Sequence, residues 1–268
     1  MSSNAFPGRR RTALVTGATA GIGRAFTTAL AAADHDLVLV ARDASRLHAL
    51  ADELRDRHGV DVEVLPADLA DRRALEGVER RVADASHPVD LLVNNAGFGS
   101  RGRFLDHGVE DEQRMLDVLV GAVLRLSHAA AGEMTRRGSG AIINVSSIAG
   151  FLPRGTYSAA KAWVTTFTVW LDLTYRPRGL RAMALCPGFV RTEFHARMGV
   201  SPRSVPGPMW LDADRVVRDA LVDLENGKRI SVPSRRYKVL TGLARAMPNR
   251  LLARFQHVGR GDSWRSRR

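Results

Sequence analysis

Tyr157 and Lys161 stand four residues apart in Tyr157-Ser158-Ala159-Ala160-Lys161, a spacing that puts both side chains on one face of a helix. A phenol with an ordinary pKa of about 10 transfers protons poorly near neutrality. A nearby ammonium stabilises the phenolate and lowers that value, so the pair is suited to acid–base chemistry. The same spacing occurs in many helices by chance, and what sets this pair apart is its company. Thr16-Gly17-Ala18-Thr19-Ala20-Gly21-Ile22-Gly23 follows the first apolar run, Asn94-Asn95-Ala96-Gly97 ends a later one, and Ser146-Ser147 and Cys186-Pro187-Gly188 end two more. Glycine has no Cβ, so a backbone built from it can turn tightly and approach a phosphate closely. A helix opening at such a turn points its free N–H groups at an anion.

The elements that must position these residues show in the apolar pattern, which switches period repeatedly in the manner of βαβ units around a parallel sheet. Strands are expected at 13–15, 37–40, 62–65, 91–93, 141–145, 180–186 and 230–232. The run Leu37-Val38-Leu39-Val40 is continuously apolar, as a strand buried on both faces requires. Leu47, Leu50, Ala51 and Leu54 fall at helical spacing, and long helices are expected over 112–137 and 157–176. Asp212 can cap a helix running to Glu225. No internal repeat interrupts the chain, so the fold class is α/β: a Rossmann-type doubly wound parallel sheet in a single domain. The expected layout is a flexible N-terminus at 1–10, the sheet domain at 11–232 and a C-terminal basic helical extension at 233–268.

Of the 268 residues 45% are hydrophobic, ample for a sizeable core. Cys186 is the single cysteine, which rules out an intramolecular disulfide and fits a reducing, cytoplasmic setting. No segment reads as a signal or a membrane span. The net charge of +12 resembles a nucleic-acid signal until it is located: residues 228–268 hold twelve Lys and Arg against the single acid Asp262, so +11 belongs to the tail. The domain itself is nearly neutral, and nucleic acid is not expected as a partner. His107, His128 and His195 show no metal-ligand spacing.

Taken in order, these motifs resemble those of the short-chain dehydrogenase/reductase family over nearly all of residues 11–232. The resemblance implies a nicotinamide-dependent oxidoreductase interconverting a carbonyl and an alcohol. It makes Tyr157 the general acid or base, has Lys161 tune it and hold the nicotinamide ribose, and has Ser147 bond the substrate oxygen. The register of Ser147-Ile148-Ala149-Gly150 selects Ser147 over Ser146. It lies ten positions before Tyr157, fewer than many relatives have, which makes the 151–156 loop short. On the cofactor side the resemblance implies Gly17, Thr19, Ala20, Gly21, Ile22 and Gly23 for the phosphates. Asp68 with Leu69 would meet the adenine, and Asn94, Asn95, Ala96 and Gly97 the adenosine ribose. Pro187, Gly188, Val190 and Thr192 would meet the nicotinamide.

The second strand ends in Val40-Ala41-Arg42-Asp43. Ala41 occupies the place of the family's NAD-selecting acid, and Arg42 can pair with a 2′-phosphate, so NADP is favoured over NAD. The competing reading makes Arg42 a solvated helix-start residue and gives the ribose to Asp43. Asp68 could equally cap the segment starting near Asp71. One departure is clear: Leu119 stands where the family carries an Asn that helps hold a relay water. Backbone groups then hold that water, or proton delivery differs, or activity is reduced.

The resemblance also implies a substrate lid at about 193–211, whose apolar content points to a lipophilic carbonyl or alcohol or, equally, to packing, and a homo-oligomer, dimer or tetramer, formed through the two long helices. In the tail, Leu240, Leu243, Leu251 and Phe255 fall at helical spacing around Pro248. They are expected to pack against the lid, with weak peripheral membrane contact as the alternative. The tail is further expected to be separable and unnecessary for cofactor binding. The rival function is a catalytically weak NADP-binding protein that signals cofactor occupancy through this tail.

Overall fold

The computed structural model of the chain describes residues 9–99, 104–106, 108–194 and 205–246. Seven strands form one sheet: β1 Thr12–Thr16, β2 Asp36–Ala41, β3 Val62–Pro66, β4 Leu91–Asn94, β5 Gly140–Val145, β6 Leu180–Leu185 and β7 Ile230–Ser231. They lie in the order β3-β2-β1-β4-β5-β6-β7 with every pairing parallel. Helices cover both faces, which is why the central strands are apolar on both sides. One layer holds α1 Gly21–Ala32, α2 Ala44–His58, α6 Ala213–Glu225 and α7 Arg235–Ala246. Phe26, Leu30, Leu47, Leu54 and Val217 pack there against Val15, Leu39, Ile143 and Leu185. The other layer holds α3 Arg72–Val82, α4 Val109–Arg137 and α5 Thr156–Tyr175, with Val78, Leu126 and Leu171 on Leu14, Val38 and Ile142.

Three helices begin at an aspartate that closes the first turn. Asp43, Asp71 and Asp212 cap α2, α3 and α6 by accepting the N–H groups of Arg46, Ala74 and Arg215 at 3.0, 2.8 and 3.1 Å. Helix α4 starts earlier than the expected 112 and holds a π-helical segment at Asp117–Ala122, a local widening common near functional sites. By length and composition α4 could cross a membrane, which the sequence reading does not anticipate. Here its apolar residues Met115, Leu119, Leu126 and Met134 are buried in the fold. Far along α5, the fully buried Asp172 accepts from Arg176, Arg229 and the Ala182 N–H. Burial alone would raise its pKa, but these partners hold the carboxyl below the usual range.

The tail departs from expectation. Among the described side chains of α7, Tyr237 and Thr241 are buried, while Leu240 and Leu243 are 46% and 54% exposed. Tyr237 and Thr241 are one turn apart, and their hydroxyls find partners inside the protein. A search for apolar periodicity therefore selects the wrong face of this helix. Pro248, Leu251 and Phe255 lie outside the described residues, as do residues 195–204 of the expected lid.

Candidate active site

Strands β2 and β4 lie on opposite sides of β1, so the strand order reverses there, and ligands in such folds bind at that reversal. A cavity of about 750 Å³ lies there, beyond the strand C-termini. The turn after β1 forms its floor. Gly17 and Gly21 have φ of +66° and +54°, a region that favours glycine. A Cβ on Gly17 would come within 2.9 Å of Asn95 Nδ2, and one on Gly21 within 2.9 Å of Thr192 Cγ2. Helix α1 opens without any side-chain cap, so its first N–H groups remain available to an anion. Thr16 and Asn95 hold the turn in place: Thr16 Oγ1 accepts from the N–H groups of Asn95 and Ala96 at 2.9 and 3.0 Å, and Asn95 Nδ2 donates to the Thr16 carbonyl at 2.9 Å. The cradle fits a dinucleotide pyrophosphate.

At the end of β2, Ala41 and Arg42 line the cavity, and Arg42 is exposed. Asp43 also lines it, but its carboxylate caps α2 and accepts from Ser45 Oγ at 2.7 Å. The Ser45 hydroxyl, more than the Arg46 N–H, holds Asp43 below its ordinary pKa. Arg46 is a second cation on this wall, donating to Thr19 O at 3.3 Å and to Glu193 at 3.4 Å. Asp68 is not the cap of α3, a role Asp71 takes. It accepts from the Ala70 N–H at 3.0 Å and pairs with Arg114. Burial pushes it up, but those two partners outweigh burial and keep it ionised.

The reactive side chains meet where β5 ends beside α5. Ser146 is buried and bonds the Lys161 carbonyl at 2.7 Å and Thr165 Oγ1 at 2.8 Å, tying strand to helix. Ser147 instead lines the cavity and faces Tyr157, opposing the rise in its pKa, so the structure distinguishes the two serines as the Ser-x-x-Gly register does. Lys161 Nζ donates to the Val145 carbonyl at 2.7 Å and lies 5.8 Å from the Tyr157 ring centroid. Desolvation pushes the Tyr157 hydroxyl up to about 12, opposed by Ser147, and draws Lys161 down to about 8. Here the low dielectric around both groups, rather than the charge of the lysine, governs the shift of the tyrosine. Leu119 is fully buried with Met115 and Ala160, and Tyr157 packs against this cluster. A Cβ on Gly97 would meet Leu119 Cδ2 at 2.8 Å and Lys161 Nζ at 3.9 Å. An apolar side chain thus occupies the ground beside the lysine where a polar relay group was sought.

Every candidate residue lines this one cavity except two. Gly23 lies beneath it, where a Cβ would strike Gly17 O at 2.1 Å, so its role is close packing of helix on turn. Asn94 is buried and donates to Asn144 and Ser127 at 2.9 and 3.2 Å, binding β4 to its neighbours. The wall also includes Arg46, Phe98, Val118, Glu193 and Phe194, which sequence reasoning did not single out as site residues. For Arg46 a signal was present: a basic side chain in the first turn of the helix that follows β2. Among the described residues, no group of three His, Cys, Asp or Glu could hold a metal ion.

A parallel doubly wound sheet with a glycine-lined anion cradle and a Ser–Tyr–Lys cluster on one cavity defines a nicotinamide-dependent oxidoreductase site. Residues 11–200 match the family model for the short chain dehydrogenases. Oxidoreductase UcpA of Salmonella typhimurium is 33% identical over 254 residues, 93% of this chain and 84% of the relative. Among solved structures, a short-chain dehydrogenase from Sphingobium yanoikuyae in complex with NADPH superposes with a TM-score of 0.81 at 36% identity, covering 88% of this chain and 94% of that one. A bulky-bulky ketone specific alcohol dehydrogenase from Comamonas testosteroni gives 0.77 at 30% identity over 88% and 92%. The chain belongs to the short-chain dehydrogenase family, whose members are oxidoreductases that bind NAD or NADP.

Proposed function

We propose that this chain is an NADP-dependent enzyme interconverting a lipophilic carbonyl and its alcohol. The observation that carries the reading is the convergence of Ser147, Tyr157 and Lys161 on the cavity that also holds the glycine turn and Arg42. The nicotinamide, when bound, supplies or accepts hydride. Ser147 and Tyr157 face each other across the cavity, and their hydroxyls together can receive a carbonyl oxygen. At neutral pH Tyr157 is fully protonated, the form that delivers a proton as that oxygen gains charge. Lys161 is held toward the cavity by the Val145 carbonyl and carries its charge below about pH 8. With Leu119 in place of a polar side chain, a water that resupplies the proton past Lys161 would have to be held by main-chain groups.

NADP preference is supported by Arg42 and Arg46 on the wall, by the engagement of Asp43 in capping, and by the NADPH-bound relative. A lipophilic substrate is supported by Phe98, Val118 and Phe194 on the wall and by the bulky-ketone relative. Pairing of α4 and α5 between subunits and a cytoplasmic setting, in keeping with Cys186 as the one cysteine of the sequence, belong to the same proposal. A panel of ketones and aldehydes, small and bulky, assayed with NADPH and NADH tests it. NADPH-dependent reduction favouring bulky ketones is expected. Tight NADPH binding with no turnover across the panel would favour the cofactor-sensing alternative.

A further inference from the structure

Tyr237 lies in the basic tail, yet it is one of the largest fully buried side chains of the chain, with 1% exposure. Its ring rests on the backbone of Gly188, where a Cβ would come within 2.1 Å of the ring carbons. Its hydroxyl accepts from the Phe189 N–H at 3.1 Å and donates to the Met209 carbonyl at 2.7 Å. Burial holds this phenol protonated, so the donated bond persists at neutral pH.

Of the two segments it joins, the 187–190 loop borders the site. Pro187, Gly188 and Val190 are on the cavity wall. Met209 belongs to the chain returning from the expected lid, and that chain is bonded to the same loop: the Leu211 N–H donates to Phe189 O at 2.7 Å and the Arg191 N–H to Leu211 O at 2.9 Å. The Phe189 and Trp210 rings lie 5.7 Å apart across this junction. Next to Tyr237, Arg236 donates to the Pro208 carbonyl at 2.9 Å.

We infer that Tyr237 is a positioning residue: it clamps the 187–190 loop to the 208–211 segment, so that cofactor affinity depends on the C-terminal helix. This rests on the loop being the nicotinamide side of the site proposed above. It reverses the expectation that the tail can be removed without loss of cofactor binding. The ring explains why position 188 is glycine, since its backbone φ is not in the left-handed region, and the hydroxyl fixes the loop's spacing from the lid segment.

Tyr237→Phe keeps the ring and removes both bonds. Titration of the folded variant should show NADPH affinity reduced about tenfold, as expected for two buried hydrogen bonds. The Phe189 amide, protected from hydrogen exchange in the cofactor-free wild type, should exchange faster. Thr241→Ala is the control for mere helix packing: Thr241 is buried in α7, but its hydroxyl bonds only the Tyr237 and Lys238 carbonyls. It should bind NADPH as wild type does. Wild-type affinity with a protected Phe189 amide in Tyr237→Phe overturns the inference, and so does an equal affinity loss in Thr241→Ala. If the wild type binds neither NADPH nor NADH, the functional proposal fails. The clamp is then decided by amide exchange alone, supported by lost protection in Tyr237→Phe and overturned by its retention.

Discussion

Replacing Arg42 with alanine should weaken NADPH binding about tenfold and leave NADH binding unchanged. Arg42 stands exposed on the cavity wall directly after Ala41, so no carboxylate at position 41 repels a 2′-phosphate or accepts from a free ribose hydroxyl. Asp43 is turned to capping α2, its Oδ1 accepting from the Arg46 N–H at 3.0 Å and Ser45 Oγ at 2.7 Å. A hydrogen bond to a charged group contributes about 1.5–3 kcal/mol. Exposure selects the lower end, since two unit charges 4 Å apart gain only about 1 kcal/mol in water. About 1.5 kcal/mol is roughly a tenfold change in Kd. Arg46→Ala should lose less, about threefold, because that guanidinium is already shared with Thr19 O and Glu193. Fluorescence titration of both cofactors at low salt and at about 1 M salt reads the effect, and the preference should narrow at high salt as screening shortens to about 3 Å. Equal losses for NADPH and NADH, or an unchanged preference in Arg42→Ala, would refute the reasoning.

Two further outcomes follow from the same geometry. Because the Tyr157 phenol is pushed up to about 12, the protonated form needed for reduction is present throughout the neutral range, whereas oxidation needs the phenolate. Reduction should hold its rate from about pH 6 to about pH 8, where Lys161 begins to lose its charge, and oxidation should climb from about pH 7 to about pH 10. Initial rates in both directions check this, and an oxidation rate flat over that range would contradict it. Trp170 and Leu173 on α5 are 51% and 57% exposed, beside a stack of Trp163 on Phe167 with centroids 4.7 Å apart. Light scattering should therefore find a dimer or tetramer that Trp170→Asp shifts toward smaller species, and a wild-type monomer at all concentrations would refute the interface.

The seven strands were legible because a strand covered by helices on both faces must be apolar throughout, and each expected strand differs from the observed one by at most a residue or two at either end. The glycine turn and the Tyr–Lys pair were legible because their chemistry is set by local spacing. What the sequence hid depends on distant contacts. Tyr237 carries no periodic signal, and its partners Phe189 and Met209 lie 48 and 28 positions away. The Leu240 and Leu243 face was misassigned because a helix can be anchored by bonded hydroxyls as well as by apolar side chains. The balance at Tyr157 and Lys161 was misjudged because desolvation, unlike spacing, is a property of the assembled fold.

The most direct test of the account is Tyr157→Phe, compared with the wild type for NADPH binding and for reduction of a ketone that the wild type turns over. The substitution removes the one hydroxyl that both meets Ser147 and can give up a proton, while the glycine turn, Arg42 and the 187–190 loop remain. Turnover should fall by about 100-fold or more, the contribution general acid catalysis makes, with NADPH affinity within about twofold of wild type. Near-wild-type turnover in the phenylalanine variant would contradict the assignment of Tyr157 as the proton donor.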